Sequence, residues 1–256
     1  MSRTVVITGA SSGIGHALAK EYAKLASKLF LLGRDQKRLE ETATTCRELG
    51  AEVSITAVDV RERAAMHEYL VSLDVRSPID LLIANAGILR GSSDGETLES
   101  EEDSLAVLET NVIGLANTIH PLLPRMIARR QGQIAIMSSI AGLASVPQMP
   151  SYSASKSAVL AYGLALRAVL HSQGIGVSVI CPGFIDTPMT VQIRGAKPFM
   201  ISAEKAARRI CRGLEQNRAV IAFPHFLATI TRINGMLPDW ARRFTSSFVR
   251  FSVGGR

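Results

Sequence analysis

The chain has 256 residues, 47% of them hydrophobic and 20% charged, and 29 Lys and Arg against 22 Asp and Glu give a net charge of +7. That length can bury most of its unfolded surface, and the composition excludes a disordered polymer, a coiled coil and a disulfide-stapled miniprotein. The charge is uneven: residues 1–205 carry 20 basic and 20 acidic side chains, whereas residues 206–256 carry nine Arg against Glu215 and Asp239. A neutral body with a basic end and no recognisable binding module argues against nucleic acid as a partner.

No secretory leader is expected, because Ser2-Arg3 runs straight into a β-branched stretch. No apolar stretch reaches the ~18 residues that span a bilayer. A cytoplasmic protein is expected. Strand-like runs follow at Val5–Thr8, Leu29–Leu32, Val53–Val58, Leu81–Ala84, Gln133–Ser138, Val177–Cys181 and Ala219–Phe223. Between them, helical periodicity marks Ile14–Ala26, Gln36–Leu49, Ala64–Leu73, Leu105–Arg129 and Tyr152–His171. Apolar strands alternating with helices predict an α/β fold: a three-layer, Rossmann-type doubly wound sheet of about seven parallel strands with helices on both faces. Residues 1–223 are expected to form its body, and 224–256 a basic, aromatic extension of the same domain. Cys46, Cys181 and Cys211 lack metal-ligand spacing and read as buried small hydrophobes, and no metal is expected.

Two stretches interrupt the alternation. Asp94–Asp103 holds six acidic residues in ten and reads as a solvated loop leading into a helix whose first turn favours carboxylates. Pro188–Met200, broken by Pro188, Gly195 and Pro198, is long for a connection and reads as a lid.

Thr8-Gly9-Ala10-Ser11-Ser12-Gly13-Ile14-Gly15 joins the first strand to the first helix. Glycines there permit a tight turn and close approach of backbone to a pyrophosphate, which the helix N-terminus attracts. The spacing Gly-x3-Gly-x-Gly resembles the TGxxxGxG motif of the short-chain dehydrogenase/reductase family. Other motifs follow in that family's order: Asn85-Ala86-Gly87, Asn111 in Asn111-Val112-Ile113-Gly114, Ser139, Tyr152-Ser153-Ala154-Ser155-Lys156, and Pro182-Gly183 with Ile185 and Thr187. The likeness runs from residue 4 to about 223.

Tyr152 and Lys156 lie four residues apart, on one face of a helix. An ammonium beside a phenol of pKa near 10 is expected to draw that pKa toward the working range. The resemblance implies roles. Tyr152 would protonate a carbonyl oxygen or act as base in reverse, and Lys156 would lower its pKa and hold the nicotinamide ribose. Ser139 would polarise the carbonyl, and Asn111 would hold a water in a proton relay. Asp59-Val60 would contact adenine, Asp59 doubling as the N-cap of the next helix. Gly9, Ser11, Ser12, Gly13, Ile14, Gly15, Asn85, Ala86, Gly87, Pro182, Gly183, Ile185 and Thr187 complete the expected cofactor cradle. Ser138 reads as a strand residue facing the other side.

About 20 residues beyond the glycine loop, a site for NAD(H) places a carboxylate on the ribose hydroxyl. Here Gly33 is followed by Arg34, with Lys37 and Arg38 near it, a set suited to a 2′-phosphate. NADP(H) is the expected cofactor. Asp35 keeps NAD(H) open.

Leu143, Val146, Met149, Met189, Ile193, Phe199 and Met200 make the expected substrate wall apolar. The resulting expectation is a ketone or aldehyde reductase, or alcohol dehydrogenase, for an apolar small molecule, working as a homodimer or homotetramer through Leu105–Arg129 and Tyr152–His171. Epimerases and dehydratases with retained cofactor carry larger C-terminal domains. The alternative from another class is a non-catalytic NADP(H)-binding protein docking on a partner or membrane, against which the Ser139–Tyr152–Lys156 set argues. Trp240, Phe244, Phe248 and Phe251 form a helical stripe among Arg242, Arg243 and Arg250. It fits core or oligomer packing, or a peripheral membrane contact through 236–256.

Overall fold

A computed structural model describes residues 3–25, 28–93, 98–238, 240–241 and 252–253. Strands β1 (Thr4–Thr8), β2 (Lys28–Gly33), β3 (Glu52–Ala57), β4 (Leu81–Ala84), β5 (Gly132–Met137) and β6 (Ile175–Pro182) are followed by two-residue strands β7 (Ile185–Asp186), β8 (Ile193–Arg194) and β9 (Ile201–Ser202). β10 (Val220–Phe223) and β11 (Ser252–Val253) complete the set. Helices are α1 (Gly13–Ala23), α2 (Gln36–Glu48), α3 (Arg63–Arg76), α4 (Glu101–Leu108), α5 (Gly114–Ile119), α6 (Leu123–Arg129), α7 (Pro150–His171), α8 (Pro188–Val191), α9 (Ala203–Glu215) and α10 (His225–Met236).

Seven strands form one parallel sheet in the order β3-β2-β1-β4-β5-β6-β10. The seven correspond one for one to the seven apolar runs of the sequence. Because side chains alternate faces along a strand, Val5, Ile7, Leu29, Leu31, Leu81 and Ile83 pack with α1, α2 and α9 on one side. Val6, Phe30, Leu32, Leu82, Ile134 and Ile136 pack with α3, α5, α6 and α7 on the other. The order reverses between β1 and β4, so a crevice opens at the carboxyl ends of those strands, where ligands of doubly wound sheets bind.

One expected helix is broken. Leu105–Arg129 divides into α4, a π turn over Glu109–Ile113, α5 and α6. Pro121 has no N–H to donate and its ring opposes the carbonyl four residues back, so the helix stops after Ile119. The acidic segment behaves as expected from Ser100 onward. The Ser100 hydroxyl caps α4, accepting from the Asp103 N–H, and Glu101, Glu102 and Asp103 occupy the positive first turn. The three cysteines are free and buried.

The lid residues form α8 and β8. β8 pairs antiparallel with β11, and β7 pairs with β9. Phe244, Phe248, Phe251, Arg242, Arg243 and Arg250 of the aromatic stripe lie outside the described residues, and Trp240 is exposed. Among the described residues no helix is long and apolar enough to cross a membrane.

Candidate active site

A cleft of about 1000 Å³ runs across the carboxyl edge of the sheet, from the glycine loop to α10. Its floor begins where β1 ends. The Thr8 hydroxyl accepts the Asn85 and Ala86 N–H groups, both at 3.1 Å, and the Asn85 side-chain amide donates to the Thr8 and Gly9 carbonyls at 3.0 and 3.1 Å. Asn85 thus fastens the loop to β4. Gly9 has φ 66°, which favours glycine, and a Cβ on Gly15 would fall on the Gly9 carbonyl oxygen. The loop therefore hugs α1 and leaves the helix N-terminus open. Gly9, Ser11, Ser12, Gly13 and Ile14 line the cleft, whereas Gly15 packs beneath it.

Beyond β2, Gly33, Arg34, Asp35 and Arg38 line the same end. The Asp35 carboxylate has other work: it is the N-cap of α2, accepting the Arg38 N–H at 3.0 Å and pairing with the Arg38 guanidinium at 3.3 Å. Asp59 departs from its expected second role. α3 is capped at Glu62, and Asp59 instead accepts the Arg61 N–H and holds the Arg61 guanidinium at 2.8 Å. These bonds to Arg61 keep its carboxyl below the usual carboxylate range. With Arg61 only two residues on, the chain closes a local Asx turn before the helix can start. Asp59 and Val60 both line the cleft. Ala86, Gly87, Pro182, Gly183, Ile185 and Thr187 wall its middle.

Tyr152, Ser139 and Lys156 converge at the other end. α7 starts at Pro150, whose fixed φ suits a first helical turn, and it carries Tyr152 and Lys156 on one buried face. The Tyr152 hydroxyl is close enough to Ser139 for that serine to pull its pKa down, and the Ser139 hydroxyl donates to the Pro182 carbonyl at 3.4 Å. Ser139 is anchored in turn, its oxygen accepting the Ala141 N–H at 3.1 Å. Lys156 Nζ donates to the Met137 carbonyl at 3.0 Å and lies 5.6 Å from the centre of the Tyr152 ring. Ser138 also faces α7, its hydroxyl donating to the Lys156 carbonyl at 2.8 Å. It fixes the helix to β5, a role the strand alternation alone does not reveal.

The electrostatics correct one expectation. Burial pushes the Tyr152 phenol up to about 12, with Ser139 pulling back. Burial likewise lowers Lys156 to about 8. The ammonium does not by itself bring the phenol toward neutrality.

Asn111 does not line the cleft. It sits in the π turn, 1% exposed, its oxygen accepting the Ile88 N–H at 2.8 Å and its amide donating to the Ile88 carbonyl and the Ser155 hydroxyl, both at 3.0 Å. Ser155 donates to the Tyr152 carbonyl at 2.8 Å. Asn111 thus braces the segment after Gly87 against α7, and π turns recur at functional sites.

Of the apolar residues expected to wall the substrate, Val146, Met149, Met189 and Ile193 line the cleft. Leu143, Phe199 and Met200 do not line the cleft, and Phe199 and Met200 are exposed. The wall is completed instead by Leu227, Ile230, Thr231 and Asn234 of α10. The three-and-four spacing of 227, 231 and 234 was the available signal. Among the described residues no His, Cys, Asp and Glu cluster could hold a metal ion.

A doubly wound sheet with a glycine loop at its switch point and a Tyr/Lys pair on the facing helix defines a dinucleotide-dependent oxidoreductase architecture. The model of the short chain dehydrogenase family matches residues 3–198. The chain is 32% identical over 231 residues to mouse (Mus musculus) 17-beta-hydroxysteroid dehydrogenase 13, the match covering 88% of this chain and 75% of that one. Among solved structures, a short-chain dehydrogenase/reductase from Burkholderia phymatum in complex with NAD superposes with a TM-score of 0.81 at 28% identity, over 91% of this chain and 92% of that one. A short-chain dehydrogenase from Sphingobium yanoikuyae in complex with NADPH gives 0.79 at 27%, over 97% and 96%. This chain belongs to the short-chain dehydrogenase family, and is an oxidoreductase acting on CH–OH groups.

Proposed function

We propose that the chain interconverts an apolar ketone or aldehyde and its alcohol with NADP(H), using Tyr152 as general acid and base. The observation that carries this reading is the buried Ser139–Tyr152–Lys156 group on the wall of the cleft whose far end is the glycine loop. The cradle fits a dinucleotide: Gly13 has no side chain to fill the space opposite Thr187, and a Cβ on Gly87 would come within 3.4 Å of Lys156 Nζ. Ser11, Ser12 and Gly13 with the open N-terminus of α1 would hold the pyrophosphate, and Asp59 and Val60 would flank the adenine. Solved relatives bind NAD or NADPH. Preference for NADP(H) here is supported by Arg34 lining the cleft while the Asp35 carboxylate is occupied as a helix cap.

When bound, the nicotinamide supplies the hydride chemistry. The chain does the rest. Ser139 holds the carbonyl oxygen beside the Tyr152 hydroxyl, which carries its proton at neutral pH and donates it to an oxygen gaining negative charge. Lys156, with a pKa of about 8, exchanges protons at neutral pH and sits next to that phenol. Asn111 braces the turn of α7 that carries Tyr152 through Ser155. The test is nicotinamide absorbance with NADPH and NADH across a panel of apolar ketones, aldehydes and alcohols. Tight NADPH binding without turnover on any class replaces this reading with the non-catalytic one.

A second observation bears on location. Phe226, Ile230, Ile233 and Met236 form an exposed apolar face on α10, beside the cleft mouth and next to exposed Arg232. Together with the arginines of residues 206–256, this face supports docking on an anionic lipid surface from which an apolar substrate enters. Co-sedimentation with phosphatidylserine vesicles but not phosphatidylcholine vesicles is expected; equal recovery with both removes the proposal. Exposed Leu105, Leu108, Ile113, Leu164 and Val169 on and between α4, α5 and α7 support self-association there. Sedimentation as a monomer at micromolar concentration rejects it.

A further inference from the structure

We infer that Val253, far in sequence from every motif above, is a positioning residue for the substrate end of the cleft. The inference rests on the carbonyl reading for its effect on substrate, though not for its structural part.

Three separate segments meet at this side chain. β11 pairs antiparallel with β8, Val253 opposite Ile193 and Ser252 opposite Arg194. The Val253 N–H donates to the Ser92 carbonyl at 3.1 Å, and the Ser92 N–H donates to the Gln148 carbonyl at 2.9 Å. Lid, the segment after β4 and the loop before α7 are thereby joined through one residue. Val253 is 3% exposed and packs in an apolar cluster with Leu89, Met149, Ile193 and Tyr152. Leu89, Met149 and Ile193 line the cleft, and Val253 stands behind them without lining it. Space for it is reserved: a Cβ on Gly91 would come within 2.7 Å of Val253 Cγ2 and 2.5 Å of the Gln148 carbonyl oxygen.

Strands of two residues hold little by themselves, so the pairing of β8 depends on this buried side chain. With Val253 seated, Ile193 is held in the apolar cluster that includes Tyr152 and gives an apolar substrate a fixed wall. With it withdrawn, the wall loosens while the glycine loop, fastened separately through Asn85, stays in place. Substrate affinity and cofactor affinity are therefore separable at this position.

The experiment compares the full chain with Val253→Asp, Val253→Ala and Val253→Ile. Amide hydrogen exchange of the free protein is followed at residues 193–194 and 253. NADPH affinity is measured by fluorescence, and KM and kcat are measured on the best apolar ketone of the panel. For Val253→Asp we expect faster exchange at 193–194, KM raised about tenfold, as for loss of an apolar pocket contact, kcat within about threefold, and NADPH affinity unchanged. Val253→Ile should restore KM and protection. If the Asp variant loses NADPH binding through unfolding, Val253→Ala is read in its place, with the same directions and smaller size. Unchanged exchange at 193–194 overturns the tie itself. Faster exchange with unchanged KM overturns the positioning role. If the wild-type chain turns over no carbonyl compound, the reading of the reaction fails and exchange still decides the tie.

Discussion

At the glycine-loop end of the cleft, the backbone is held by hydrogen bonds between residues at the ends of adjacent sheet strands: Thr8, which ends β1, and Gly9 after it, with Asn85 and Ala86 after β4. At the opposite end the wall is held by two-residue strands and apolar side chains drawn from residues 89, 149, 193 and 253. A parallel sheet gives its carboxyl edge a geometry that changes little when surface segments change. The apolar end has no such frame and takes its shape from whichever side chains pack there. Chemistry can therefore stay constant on Ser139, Tyr152 and Lys156 while the accepted carbonyl compound changes, because the two are fastened to different parts of the molecule.

The sharpest way to break this division is at the point where the ends meet. Tyr152→Phe removes one hydroxyl and keeps the ring that packs with Leu89, Met149 and Ile193. General acid–base catalysis contributes roughly 10²–10⁴-fold, so kcat should fall by about that factor with NADPH affinity unchanged in a fluorescence titration. Full activity in this variant would show that the proton comes from elsewhere.

Lys156 tests the electrostatics of the same junction through stability. Its folded pKa of about 8 lies below the ordinary lysine value of 10.5 because burial disfavours the charge. The unfolded chain therefore binds more protons between those values, and the fold gains stability as pH rises from about 8 to 10.5. Below pH 8 the penalty is present in full, about 3 kcal/mol by the conversion of pKa shift to free energy. Lys156→Met should be more stable than the wild type at pH 7 by up to that amount, and should lose the gain between pH 8 and 10. Parallel stability–pH curves for the two proteins in urea titrations contradict the shift. Activity should fall in the same variant, so stability and turnover move in opposite directions.

The two ends were not equally legible in the sequence. The inner strands of the main sheet could be read because a strand buried on both faces is apolar throughout, the partly exposed edge strand β3 because of its β-branched residues, and the glycine loop because its spacing has few other uses. Tyr152, Ser139 and Lys156 were found by motif and meet in space. The π turn at Asn111 could not be read, since Glu109–Ile113 keeps ordinary helical periodicity. Pro121 stood in plain view and should have ended the predicted helix. At the substrate end, Phe199 and Met200 look like pocket residues by type alone and face solvent. Val253 meets Ser92 and Ile193 across separations that no local pattern encodes. The α10 wall was assigned to a terminal extension, although its three-and-four spacing was available.

The smallest effects are expected at the cofactor end, at the edge of β2, where two adjacent charges have been given different tasks. Arg34→Leu removes the guanidinium that would meet a 2′-phosphate. A charge-assisted hydrogen bond contributes about 1.5–3 kcal/mol, so NADPH affinity should drop about 10–100-fold while NADH affinity stays within about threefold. Asp35→Asn is the finer probe, because Asn caps helices about as well as Asp and the α2 terminus should survive. If the carboxylate serves only as cap and as partner of Arg38, removing its charge beside the phosphate site should tighten NADPH about two- to fivefold, the range of an exposed charge pair. NADH should hardly respond. If Asp35 instead leaves the helix to take a ribose hydroxyl, the same substitution weakens NADH and leaves NADPH alone. Which of the two values moves, kcat/KM with NADPH or kcat/KM with NADH, each measured separately on one ketone, therefore decides which task Asp35 performs.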